Sequence, residues 1–157
     1  MCIRDSLSIN DYVIEEKIDG LAISLTYKSG ILIKGATRGN GKEGEDITQN
    51  LKTIKSIPIR LEGTNFPEEV EVRGEVFFPI NSFKDFNIER KNNGESEYSN
   101  TRNAASGALR QLNPEETSKR PLDAFFYSLG SVSNLQIYSQ KQLLEQLKLW
   151  GFNTNSN

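Results

Sequence analysis

The chain has 157 residues, 36 % hydrophobic and 25 % charged, with a formal net charge of -2. That balance suits a soluble domain with a core of its own and argues against a surface built to coat nucleic acid, while leaving room for a local basic patch. One cysteine and no histidine exclude an internal disulfide, a thiolate or imidazole metal site and any His-based triad. No apolar run approaches the roughly 20 residues that span a bilayer. No signal peptide is evident, and a reducing cytoplasmic compartment is expected, with no membrane partner.

Met1 to Ser6 fits neither strand nor helix and reads as foreign to the rest of the chain. Tyr12 to Asp19 reads as an extended run. Alternation puts Tyr12, Ile14, Glu16 and Ile18 on one face and Val13, Glu15, Lys17 and Asp19 on the other, so one ammonium stands between two carboxylates. Gly20 frees the backbone for a sharp turn. Leu21 to Tyr27 alternates large apolar with small or polar residues, as a half-buried strand does. Lys28-Ser29-Gly30 gives a hairpin turn, and Ile31 to Arg38 returns as a further strand.

Gly39-Asn40-Gly41-Lys42-Glu43-Gly44 fits G-x-G-x-x-G. The dinucleotide fingerprint needs a parallel strand before it and a crossover helix after it, whereas this strand is the return arm of a hairpin. The alternative is a glycine-rich surface loop, with acidic residues at the start of a helix over about Glu45 to Ile54.

Ile57-Pro58-Ile59 reads as an edge or connector, and Asn65-Phe66-Pro67 as a turn. Glu69 to Phe78 is a strong strand, with Val70, Val72, Gly74, Val76 and Phe78 on one face. Glu69, Glu71, Arg73, Glu75 and Phe77 share the other. That row is either an exposed salt-bridged face, the reading favoured, or the polar floor of a site. Asn81 is placed to cap a helix carrying Phe83 and Phe86.

Asn92 to Tyr98 reads as a loop, and Thr101 to Leu112 as a small-residue helix stopped by Asn113-Pro114. Arg102, Ser106 and Arg110 then form one ridge, either solvated arginines or a pair aimed at phosphates. Pro114 opens a short helix with Asn113 at the cap and Glu116 at the capping-box place. Leu122 to Leu129 is an aromatic-rich strand. Ser139 caps a last helix with Leu143, Leu147 and Trp150 as its stripe and Gly151 as its stop. The fold class expected is α+β, mostly antiparallel strands with short flanking helices.

A lysine amine is a nucleophile only when neutral, and its ordinary pKa of about 10.4 must be lowered by desolvation or nearby cations. A catalytic Lys17 would therefore require positive charge in the loaded site, and Arg38 and Arg73 are available.

Lys17-Ile18-Asp19-Gly20 resembles the K-x-D-G motif of covalent nucleotidyltransferases. The surrounding words narrow the resemblance: Glu15-Glu16-Lys17-Ile18-Asp19-Gly20-Leu21-Ala22, Ala36-Thr37-Arg38-Gly39-Asn40-Gly41, Gly44-Glu45-Asp46-Ile47-Thr48, Glu71-Val72-Arg73-Gly74-Glu75-Val76-Phe77, Arg102-Asn103-Ala104-Ala105-Ser106-Gly107, Leu109-Arg110-Gln111-Leu112 and Lys119-Arg120-Pro121-Leu122. Together, over about residues 10 to 152, they resemble the adenylation domain of bacterial NAD-dependent DNA ligases. The resemblance implies an ATP-grasp-like nucleotidyltransferase fold, present in part. On that basis residues 1–9 are expected to be non-native or disordered, 10–152 to be part of the domain, and 153–157 a truncated tail.

The resemblance also implies roles. Lys17 would take AMP from NAD, and Asp19 would orient the lysine and the metal-bound phosphate. Glu15 would contact adenine, and Arg38 and Glu75 would hold the ribose and its neighbours. Arg102 and Arg110 would face phosphates of nicked double-stranded DNA. Magnesium would assist, although no metal ligand in this chain is assigned, and the zinc of the whole enzyme would belong to a part outside it. A monomer is expected. Asn40 stands where the family commonly has aspartate.

The family's nicotinamide-binding segment, its later lysine-bearing motifs and its downstream modules are not found in the sequence, so this chain alone is not expected to ligate. Two other readings stay open: a non-catalytic nucleic-acid-binding module using Arg102 and Arg110, and an oxidoreductase built on the glycine loop.

Overall fold

A computed structural model describes residues 13–39 and 44–155. The expectations for residues 1–9, Tyr12 and the loop from Asn40 to Glu43 lie outside the described residues. The elements run β1 (Leu21–Lys28), β2 (Ile31–Thr37), α1 (Thr48–Leu51), β3 (Glu69–Phe77), α2 (Ile80–Asn92), α3 (Thr101–Leu109), α4 (Pro114–Ser118), β4 (Asp123–Val132) and α5 (Gln140–Leu149). The strands form one four-stranded sheet in the order β2-β1-β3-β4, antiparallel at each pairing. It is a mixed α/β architecture with an antiparallel sheet, in keeping with the expectation of mostly antiparallel strands with short flanking helices.

The β1–β2 hairpin turns on Ser29 and Gly30, with φ of 49° and 74°. Two successive positive φ values make the primed turn that matches the right-handed twist of the flanking strands. Ser29 tolerates the conformation because both its amide and its hydroxyl are held by Glu68, at 2.7 and 2.9 Å.

Period-two alternation divides the sheet. Ile23, Leu25 and Tyr27 of β1, Val70, Val72 and Val76 of β3, and Ala124 and Phe126 of β4 are buried on one face. They pack with Leu51, Ile54, Ile57, Leu61, Leu147, Trp150 and Phe152 into the main core. Tyr27 donates its hydroxyl to the Pro58 carbonyl at 2.6 Å, which gives this buried phenol its partner. A smaller cluster of Phe78, Phe86, Ala104 and Ala105 joins α2 and α3 to the end of β3; the alanines let α3 approach closely.

Several elements differ from the sequence expectation. Residues 13–19 form no strand. The apolar half of their alternation finds no core, and Ile14 stays 93 % exposed. α1 keeps only Thr48–Leu51 of the longer helix. Asp46 accepts from the amide and hydroxyl of Thr48 and so holds the α1 entry. α2 begins one residue before Asn81, with Pro79 at its cap. α3 ends at Leu109, short of Leu112. Its true cap is Asn100, which accepts from the Asn103 amide at 2.8 Å. The caps at Asn113 and Ser139 stand, accepting from the amides of Glu115 and Gln142, but the capping box read at Glu116 does not: its carboxylate accepts from Lys119 Nζ instead. On α5 the buried residues include Leu144 beside Leu147.

Candidate active site

The face of the sheet turned away from the core is polar. Ser24, Thr26, Lys34, Ala36, Glu71, Arg73 and Ser128 line a hollow of about 550 Å³. A second of about 640 Å³ is lined by Glu15, Lys17, Asp19, Glu75, Arg102, Phe125 and Gln140. Ala22, Arg38 and Tyr127 line both, so the hollows adjoin and together make a trough along β1 and β3. The row Glu71, Arg73, Glu75 is thus a floor, with Arg73 Nε bonded to Glu71 at 2.8 Å. The favoured reading, an exposed salt-bridged face, holds at Arg73 and its bond to Glu71 and fails at Glu75, only 9 % exposed, because Tyr127 and the loop around Gly20 close over it.

Lys17 is exposed at the mouth of the second hollow. Its segment is held there by side chains from far along the chain. Gln140 Nε2 donates to Glu15 Oε2 at 3.1 Å, Asn155 Nδ2 to the Glu16 carbonyl at 2.8 Å, and Arg102 Nη1 to Asp19 Oδ1 at 3.3 Å. These bonds replace the strand pairing that the alternation suggested.

Gly20 completes the placement. A β-carbon there would lie 2.1 Å from the Val76 carbonyl oxygen, so only glycine lets the chain pass this close to β3. The Gly20 amide donates to the Glu75 carboxylate.

Burial pushes the Glu75 carboxyl above the usual carboxylate range, and the Gly20 amide, Arg102 and the Tyr127 hydroxyl oppose that rise. Arg102 Nη1 stands 4.0 Å from Glu75 Oε1. The Tyr127 phenol is raised too, first by burial and then by the charge of Glu75, 3.5 Å from its oxygen. The arrangement sets a primary amine beside acceptor carboxylates and two arginines, over an aromatic wall of Phe125 and Tyr127.

The fold therefore gathers Glu15, Lys17, Asp19, Arg38, Glu75 and Arg102 around one cleft. Arg110 is not among them. Its Nε bonds Glu45 Oε2 at 2.6 Å and its Nη1 bonds Ser106 Oγ at 2.8 Å, beside a depression whose Thr37 and Gly44 also line the first hollow. Among the described residues no group of three or more His, Cys, Asp or Glu side chains could hold a metal ion. Nor is any helix there long and apolar enough to cross a membrane.

The family model for the NAD-dependent DNA ligase adenylation domain matches residues 2–157. The chain belongs to that family. It is 50 % identical over 147 residues to a DNA ligase of Herpetosiphon aurantiacus, covering 92 % of this chain and 22 % of the relative. A DNA ligase of Geobacter metallireducens is 50 % identical over 145 residues, 92 % of this chain and 22 % of the relative. One of Ligilactobacillus salivarius is 51 % identical over 146 residues, 93 % of this chain and 21 % of the relative. The chain thus spans about a fifth of the length of these curated relatives.

In this ligase adenylation domain the cleft also holds residues the sequence reading did not single out: Phe125, Tyr127, Gln140 and Asn155. The aromatic pair carried a signal, since Phe125 and Tyr127 alternate along a strand and must share a face. Gln140 and Asn155 carried none; they reach the cleft from an exposed helix start and an irregular stretch after α5.

Proposed function

We propose that this chain is the lysine-bearing part of an NAD-dependent DNA ligase, and that Lys17 is its nucleophile. The finer fold reading is an ATP-grasp-like nucleotidyltransferase. The observation that carries the proposal is the convergence of Lys17, Asp19, Glu15, Arg38, Glu75 and Arg102 on one cleft, from positions scattered along the chain.

In its neutral form the Lys17 amine attacks the adenylyl phosphorus of NAD. A P–N bond forms, the P–O bond to nicotinamide mononucleotide breaks, and the surplus proton leaves to water at this exposed position. AMP then passes to the 5′-phosphate of a nick, restoring the lysine. The 3′-hydroxyl attacks that activated phosphate, and AMP leaves as the phosphodiester closes. Asp19 orients the amine's segment through its bond to Arg102. Glu75, held by Gly20 and Tyr127, is a fixed acceptor for ribose hydroxyls, with Arg38 beside it. Glu15 receives the base. Arg102 and Arg110 supply charge for the phosphates of nicked DNA.

The residues suit a magnesium ion carried mainly on substrate phosphates, because Asp19 is an exposed carboxylate at the mouth and no multi-carboxylate cage accompanies it among the described residues. Such an ion, when bound, screens the phosphates and favours the neutral amine. Zinc does not fit these residues, which include no histidine. The protein is proposed to act as a cytoplasmic monomer.

The test uses the full-length enzyme carrying this chain, with NAD labelled in its adenine moiety and magnesium. Digestion should place the label on the peptide containing Lys17, and Lys17→Ala should abolish it. Label on another side chain, or none, sinks the proposal.

A further inference from the structure

Glycine weakens a helix that contains it, yet Gly107 lies inside α3. The space it leaves is taken by Tyr98. A β-carbon at Gly107 would stand 2.5 Å from the Tyr98 hydroxyl oxygen and 3.0 Å from Cζ, so the phenol lies across the helix. The ring is pinned there by two neighbours. It stacks on Phe86 of α2 with centroids 6.1 Å apart, and the Arg90 guanidinium lies over it at 4.6 Å. Its backbone is fixed as well. Asn87 Nδ2 donates to the Tyr98 carbonyl, and the Tyr98 amide donates to Asn87 Oδ1, both at 2.9 Å. Arg90 closes the stretch before it, pairing Nη1 with Glu95 Oε2 at 2.6 Å and donating Nε to the Ser96 carbonyl at 2.8 Å. Residues 93–100 thus form a strap, buckled to α2 and pressed into a notch of α3.

α3 has few other fastenings at the end that matters. The buried residues of its first half are Ala104 and Ala105, whose methyl groups make a shallow contact. Leu109, its last residue, is its member of the main core. Arg102 stands in the first turn, and its reach to Asp19 depends on how α3 is set. We infer that Tyr98 is a positioning residue: through the notch at Gly107 it fixes α3, and with it the Arg102 guanidinium, for a phosphate of nicked DNA. The inference rests on the reading of Arg102 as a DNA contact. The stacking contacts belong to the ring, so Tyr98→Phe keeps them and Tyr98→Ala does not.

The experiment measures the affinity of the full-length, adenylylated enzyme for nicked DNA over a range of salt, for the wild type, Arg102→Ala, Tyr98→Ala, Tyr98→Phe and the double variant Arg102→Ala with Tyr98→Ala. Losing one phosphate contact lowers the log–log salt slope by about one. Tyr98→Ala should raise the Kd about tenfold, the size expected when one hydrogen bond to a charged group is lost, and lower the slope as Arg102→Ala does. Tyr98→Phe should match the wild type in both. Adding Tyr98→Ala to Arg102→Ala should change neither further. A ring that only stabilised the fold would reduce the active fraction and leave the slope of the remainder unchanged. A wild-type slope in Tyr98→Ala, a full additional effect without Arg102, or Tyr98→Phe as impaired as Tyr98→Ala would each overturn the inference while leaving Arg102 as a DNA contact. An unchanged slope in Arg102→Ala would instead overturn that reading, and this inference with it.

Discussion

Arg102 reaches from the first turn of α3 to Asp19, with Nη1 3.3 Å from Oδ1, and stands 4.0 Å from Glu75. One guanidinium thus serves two carboxylates of the cleft while its charge still faces the opening. Arg102→Ala removes a charge-assisted contact of a kind that contributes about 1.5–3 kcal/mol when fully formed, less at this exposed position. Single-turnover assays should show AMP transfer to nicked DNA slowed about tenfold, with a smaller loss in lysine adenylylation. An equal loss in both steps would argue that Arg102 only orders Asp19.

Gly20→Ala places a β-carbon 2.1 Å from a backbone oxygen of β3. Backbone cannot yield as a flexible side chain can, so the segment carrying Lys17 must move. We expect a loss of about 1–3 kcal/mol in unfolding free energy, the usual result of overpacking, and a larger fall in adenylylation because the amine is displaced. Denaturant unfolding and the covalent-AMP assay check the pair. Near-normal activity would show that the close approach is not needed.

Burial holds the Glu75 carboxyl above its ordinary pKa, so the folded chain binds that proton more tightly than the unfolded chain. Stability associated with the protonated form is therefore full below the unfolded value, about 4.3 for glutamate, and is lost as pH rises through the folded value. Glu75→Gln, always neutral, should melt higher than wild type at neutral pH. The advantage should shrink as the pH falls through the raised pKa. Activity should move the other way, about tenfold or more down for want of a charged acceptor. A melting difference independent of pH would refute the assignment.

Thr117 is fully buried and joins three elements. It accepts from Asn50 Nδ2 at 2.8 Å and donates to the Ala108 carbonyl at 2.8 Å, while Asn50 also donates to the Gln111 carbonyl. Thr117→Val keeps the shape and strands both partners, which should cost about 1–3 kcal/mol. The measurement is chemical unfolding. A change below about 0.5 kcal/mol, the scale of an ordinary surface substitution, would mean that water replaces the hydroxyl.

Where the chain's own periodicity meets a neighbour with the same demand, the sequence reading was reliable. Leu21–Lys28, Glu69–Phe77 and the caps at Asn113 and Ser139 were readable for that reason. It failed at Val13–Asp19, where alternation without a pairing partner gives no strand. The arginine ridge was legible in part: Arg110 Nη1 bonds Ser106 Oγ at the expected spacing, while its Nε turns to Glu45, which local spacing does not show. Burial of Glu75 was not legible either, since it depends on Tyr127 folding over from β4. Local pattern shows which face a residue occupies; only the closed fold shows what stands opposite.

The segment bearing Lys17 is fastened by Arg102, Gln140 and Asn155, sequence separations of 83, 125 and 139 residues between bonded partners. Loops of that length close late, after local contacts have formed. The amine is therefore expected to acquire its surroundings late in folding, once α3, α5 and the stretch after it are in place. Under the role proposed for Lys17, its labelling by AMP should report that α5 has docked against the segment that bears it.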